Sequence, residues 1–221
     1  DAAIALSDPA SVDGPSASAY RYEPSYGSAA PIPFRWADLG AGASTVGPLP
    51  VDGAAGPYPI GFAVEMYGRR YTEFYISENG HITLGGLPAL SAYLYGPCPP
   101  ASYFAPYLAP YLENLDLRHG GHIRWQSDGE RLVVEYDDAR RYDLHEQDVP
   151  LNCQVVLARD GSIDFNYLTV PTGGYPLVAI GSGGFYESLS PSCDGAFYAH
   201  DRSSLHFWRK NPWLNISADR D

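Results

Sequence analysis

The chain has 221 residues, a formal net charge of −12, and 14 Lys and Arg together against 26 Asp and Glu. That balance excludes a nucleic-acid partner, which needs clustered cations to displace counterions from phosphates. It equally disfavours an anionic membrane surface, and no apolar run approaches the roughly 18 residues of a membrane helix, so no membrane insertion is expected. The 23 Gly and 20 Pro cut the sequence into pieces too short for long helices, and a chain of this length can bury one full core. The composition predicts an all-β chain, with residues 31–221 as one domain behind an arm of residues 1–30.

The arm is rich in Ala, Ser, Pro and Tyr with little periodicity, and is expected to be extended or flexible. Within it Ala2, Ile4 and Leu6 are small and branched residues suited to adding as a strand to a neighbour's sheet edge. Tyr20 and Tyr22 would supply contact area at low entropy cost, so this segment is the candidate assembly arm. A disordered leader is the plainer reading of the same residues. Residues 36–51 then form a loop-rich approach to the sandwich.

The stretch from Phe62 to Leu84 carries the strongest structural signal. It reads as three short strands joined by turns at Tyr67-Gly68 and Asn79-Gly80, the latter a tight hairpin with aromatic and β-branched arms. The repeat Ala105-Pro-Tyr-Leu-Ala-Pro-Tyr-Leu112 is expected to stay out of any central strand, because each proline removes a ladder donor. From His122 the pattern becomes a regular antiparallel meander with Asp-Gly turns: 122–126, 132–136, 153–158, 162–167 and 177–180. Ile163, Phe165 and Tyr167 alternate with Asp164 and Asn166, which puts the first three on a core face. Beyond Ser182 the abundance of Phe, Tyr and Trp predicts a last strand and an aromatic C-terminal extension.

Of three cysteines, Cys153 shares a strand face with Leu151, Val155 and Leu157 and is expected to be buried. Cys98 and Cys193 both sit in loop contexts and are expected to pair as a disulfide, which would imply an oxidising compartment. Three unlinked thiols remain the alternative, and the spacing offers no zinc motif.

Together, Phe34-Arg-Trp-Ala-Asp-Leu39, residues 62–71, Ile76-Ser-Glu-Asn-Gly-His-Ile-Thr-Leu84, Ala109-Pro-Tyr-Leu-Glu-Asn-Leu-Asp116, Leu132-Val-Val-Glu-Tyr136, residues 154–167 and Val178-Ala-Ile-Gly181 resemble a known family over residues 34–184. The resemblance is to nidogen-like extracellular β-sandwich modules of large exported bacterial proteins. It implies a secreted or cell-surface, non-catalytic, bacterial domain of structural or adhesive role. Relatives tend to place an aromatic and two acids before Leu-Asp. Leu112-Glu113-Asn114 stands there in this chain, so a cation site at that point would lose a charge. No peptidase follows the domain, an arrangement expected of a free-standing subunit.

The chemistry-bearing residues suggest no cofactor beyond Ca²⁺. Asp116, Asp137 and Asp138 are its candidate ligands, although the acidic connection 137–148 lacks EF-hand spacing and reads equally as a solvated loop. His119 and His122 flank Gly120-Gly121 without a third histidine in range, and neither Ser77 nor Ser182 stands in a nucleophile elbow. Asn215-Ile-Ser217 is a formal glycosylation acceptor. Three functions are weighed. The first is an antiparallel, jelly-roll-like sandwich acting as a structural or adhesive subunit whose partners are proteins, including copies of itself in filaments. The second is a carbohydrate-binding module using Trp125 or Trp208. The third is a glycosidase pairing Asp116 with Glu135 or Asp137.

Overall fold

The computed structural model describes residues 19–26, 31–47, 49–86, 105–142, 149–174, 176–183, 188–192 and 199–210. These residues form strands and no helix, as the Gly and Pro content requires. In chain order the strands are β1 (Tyr20–Pro24), β2 (Ser44–Val46), β3 (Ala54–Met66), β4 (Arg69–Ser77), β5 (His81–Leu84), β6 (Tyr107–Leu112) and β7 (Leu115–Asp116). They continue as β8 (His122–Ser127), β9 (Arg131–Arg141), β10 (Leu151–Ala158), β11 (Ile163–Thr169), β12 (Leu177–Gly181), β13 (Ser188–Ser192) and β14 (Ser203–Arg209).

The strands assemble into two antiparallel sheets, an eight-stranded one ordered β1-β14-β11-β10-β9-β8-β2 with β7 beside β9, and a six-stranded one ordered β13-β12-β6-β5-β4-β3. The inner faces meet in one core that includes Ile60, Val64, Phe74 and Ile82 from the smaller sheet and Val134, Tyr136, Val155, Phe165 and Phe207 from the larger. Period-two alternation selects them. Ile163, Phe165 and Tyr167 face inward as expected, and so do Leu151, Cys153, Val155 and Leu157. Cys153 is a buried free thiol, its pKa pushed up by burial, so it behaves as a small apolar side chain.

Three expectations are corrected. First, β6 is an interior strand, hydrogen-bonded to both β12 and β5. Its proline is accommodated by a bulge: Leu177 faces Leu112 and Ala179 faces Ala109, so Pro110 and Tyr111 together oppose the single residue Val178. A bulge leaves one residue without a ladder bond, which suits a residue with no N–H. Second, the β4–β5 turn contains three residues between the paired Ser77 and His81. Only Gly80 within it has a left-handed backbone, at φ 75°. A Cβ at Gly80 would lie 1.9 Å from the Tyr111 carbonyl oxygen, so the position requires glycine. Third, Tyr20 and Tyr22 are not free arm residues. They lie in β1, which pairs with β14 from Tyr20 opposite Arg209 to Pro24 opposite Leu205, and Tyr20 is buried. Ala2, Ile4 and Leu6 lie outside the described residues.

Candidate interaction surface

β1 and β2 lie at opposite edges of the larger sheet, so the chain between them must cross five intervening strands. At the usual strand spacing that is a span of about 29 Å. Residues 31–40 make part of this crossing as an extended strap over the outer face. Ile32, Phe34, Trp36 and Leu39 are half-buried, while Pro31, Pro33, Arg35 and Asp38 are exposed. That alternation is the signature of a strand with one face on a support.

The strap is held by side chains that the alternation of the sheet points outward. The Arg35 N–H donates to Ser204 Oγ at 3.0 Å, and the Gly40 N–H donates to Gln126 Oε1 at 2.9 Å. Between them Gln154 engages both backbone groups of Ala37, accepting its N–H at 3.0 Å and donating to its carbonyl at 2.8 Å. One amide side chain thus reproduces a rung of a β-ladder. Gln154 also donates to Glu135 at 2.6 Å, and Glu135 forms an ion pair with Arg124. Val133, Glu135, Gln154, Val156, Asn166 and Ser204 all belong to the outer face by alternation, yet each is buried. The Arg202 guanidinium lies 5.3 Å from the Phe34 ring and Arg35 reaches Asp164 at 3.7 Å, fixing the end of the strap near β14.

A second polar cluster lies at the β4–β5 turn. Asn79 donates to Asp52 Oδ1 at 2.8 Å and accepts the Leu115 N–H at 3.0 Å, joining three segments of the chain. The Tyr136 hydroxyl lies 2.8 and 2.9 Å from the carbonyl oxygens of Ser77 and His81. Glu78 accepts the Leu117 N–H at 3.4 Å, and its pKa is raised by burial and then by the nearby Asp116 charge. Asp116 is buried with Arg118 donating to both of its oxygens at 2.9 and 2.8 Å, and those bonds hold its pKa below the usual carboxylate range. His81 is fully buried, which lowers its pKa to about 4 and keeps it neutral. These groups stitch the end of the sandwich together.

The positions singled out from the sequence fall into separate places. Asp116 is committed to Arg118, with His119 at 3.6 Å. Asp137 lies beside Arg124 at 3.5 Å, and Asp138 beside Arg140 at 3.3 Å. No group of three His, Cys, Asp or Glu side chains able to hold a metal occurs among the described residues. Glu135 is buried and bonded to Gln154 and Arg124. Trp125 packs at the sandwich edge, its ring 5.3 Å from those of Tyr58 and Phe74, so it is not an open platform. Trp208 lies on the outer face, stacked on His206 at 5.6 Å, and His206 bonds Asp164 at 2.6 Å. Cys98, Cys193 and Asn215 lie outside the described residues. Sequence reading missed Gln154, Ser204 and Gln126, whose signal was one polar residue at an outward position in each of three strands.

Searches among curated proteins and among solved structures return no match. A family model described as NIDO related matches residues 26–201, a span that begins before the strap and ends just short of β14. Two antiparallel sheets and a family match over most of the chain agree with the resemblance read from the strand motifs, and the chain belongs to the NIDO-related, nidogen-like family.

Proposed function

We propose that this chain is a non-catalytic, secreted structural or adhesive subunit that acts through protein contacts, including contacts with copies of itself made through its N-terminal arm. Membership of a nidogen-like family supports the coarser part, an extracellular module engaged in protein interactions. The observation that carries the finer part is the strap. The outer face of the larger sheet grips extended main chain through Ser204, Gln154 and Gln126, which is how one polypeptide segment recognises another without a side-chain code. Two of the carboxylates considered for catalysis, Asp116 and Glu135, make ion pairs with Arg118 and Arg124. Ala2, Ile4 and Leu6 precede β1 and are the joining segment in this reading. Electron micrographs of the purified protein should show polymers that disappear on deletion of residues 1–18. Single particles from both proteins at every concentration would refute it.

One observation favours a second reading as a carbohydrate-binding module: Trp208 stacked on His206, with Asp164 fixed beside it as a polar group. Retention on a glycan array that is lost in Trp208→Ala would support that reading over the first.

A further inference from the structure

β1 and the strap form the periphery of the larger sheet: among the described strands β1 pairs only with β14, Tyr20 being its core anchor, and none of residues 31–42 is buried. Their supports are the opposite case. Six outer-face side chains, Val133, Glu135, Gln154, Val156, Asn166 and Ser204, are buried although they point away from the core. Stripping the strap would remove partners from the buried Gln154 and Ser204, so the face favours an occupant. It does not require that occupant to come from the same chain, because an identical strap from a second copy satisfies the same bonds.

The connection on the C-terminal side of the strap suits such an exchange. Residues 40–43 form a single turn closed by the Ala43 N–H on the Gly40 carbonyl at 3.0 Å. Gly40, Ala41 and Gly42 are exposed, and a Cβ at Gly42 would meet nothing within 4 Å. Opening this turn costs little packing and redirects everything before it. Exchange of an identical element conserves the contacts of the closed form, so its balance is set by the hinge and by protein concentration.

We propose that β1 and the strap of residues 31–39 exchange between copies of this chain, each copy's strap lying across the eight-stranded sheet of another. The inference rests on the self-association reading above and adds to it a contact separate from the joining segment. Reciprocal exchange gives a closed dimer, and growth beyond two copies still needs the residues before β1.

The register of β1 on β14 provides the test, since Glu23 lies opposite His206, close enough for a cross-strand disulfide. Glu23→Cys and His206→Cys are made as separate single variants and produced together in the same cells. Exchange predicts a disulfide-linked dimer on a non-reducing gel, at least fivefold above that from either variant alone or from the unaltered protein. No such excess, with the double variant Glu23→Cys/His206→Cys linking only within one chain, overturns the proposal. Polymers seen by microscopy without that cross-link would still overturn the exchange while leaving self-assembly standing. Should His206→Cys not fold, Gly42→Pro carries the test. Proline is disfavoured at the third position of such a turn and opens the hinge. The dimer fraction in sedimentation should rise at least threefold, and an unchanged fraction overturns the proposal.

Discussion

His81 shows how a residue's chemistry is set by its surroundings: burial among core side chains lowers its pKa from 6.5 to about 4. The folded chain therefore refuses a proton that the unfolded chain accepts below pH 6.5. The stability this contributes is complete above pH 6.5 and is lost progressively as pH falls to about 4, a total of about 3 kcal/mol. Urea unfolding at pH 7 and pH 4 should show this loss, and His81→Leu should remove most of it; an unchanged pH dependence would contradict the account. Glu78 has the opposite sign. Its pKa is raised in the fold, so its stabilising effect is present below its unfolded value and is lost as pH rises through the folded one. Glu78→Gln should raise the urea midpoint at pH 7 relative to pH 4. Asn79 is a third case, since Asn79→Ala strands the buried Leu115 N–H and frees Asp52, at a cost of about 2 kcal/mol measurable by the same unfolding. Asn79-Gly80 was legible as a turn. Its bonds to Asp52 and Leu115 were not, because they depend on segments distant in sequence.

At the scale of elements, the strands that follow simple alternation were the readable ones. β8 to β11 were expected close to where they lie, since Asp128-Gly129 and Asp160-Gly161 mark their turns and Val134, Val155 and Phe165 mark the core face. β6 was misread because the rule excluding proline from interior strands holds for regular ladders, and the bulge opposite Val178 removes the demand for an N–H at Pro110. β1 was hidden for a different reason: its five residues carry no strong pattern, and its partner β14 is separated from it by almost the whole chain. The strap belongs to the same class: residues 36–51 read only as a loop-rich approach, because the alternation of Ile32, Phe34 and Trp36 is short and carries no sign of what it crosses. Gln154→Ala should release it at its midpoint. Trypsin cleavage after Arg35 should then accelerate severalfold while the sandwich itself persists, and equal cleavage rates in both proteins would show that the clasp is not what holds the strap.

For the whole molecule, the edges of the two sheets limit how copies can meet. Pro24 in β1, Pro57 and Pro59 in β3 and Pro191 in β13 interrupt three of the four edge strands, and β2 has only three residues. Such edges resist indiscriminate strand addition. A net charge of −12 adds repulsion between copies, so association should strengthen as salt screens it. An account in which the N-terminal residues join copies therefore makes a specific demand on solution mass. The measurement that tests it most directly is light-scattering mass against concentration, for the full chain and for the chain lacking residues 1–18, at physiological salt. The account predicts a mass that climbs with concentration for the full chain and goes no higher than the exchanged dimer for the shortened one. A single-copy mass for both across the range, or identical growth in both, would contradict it.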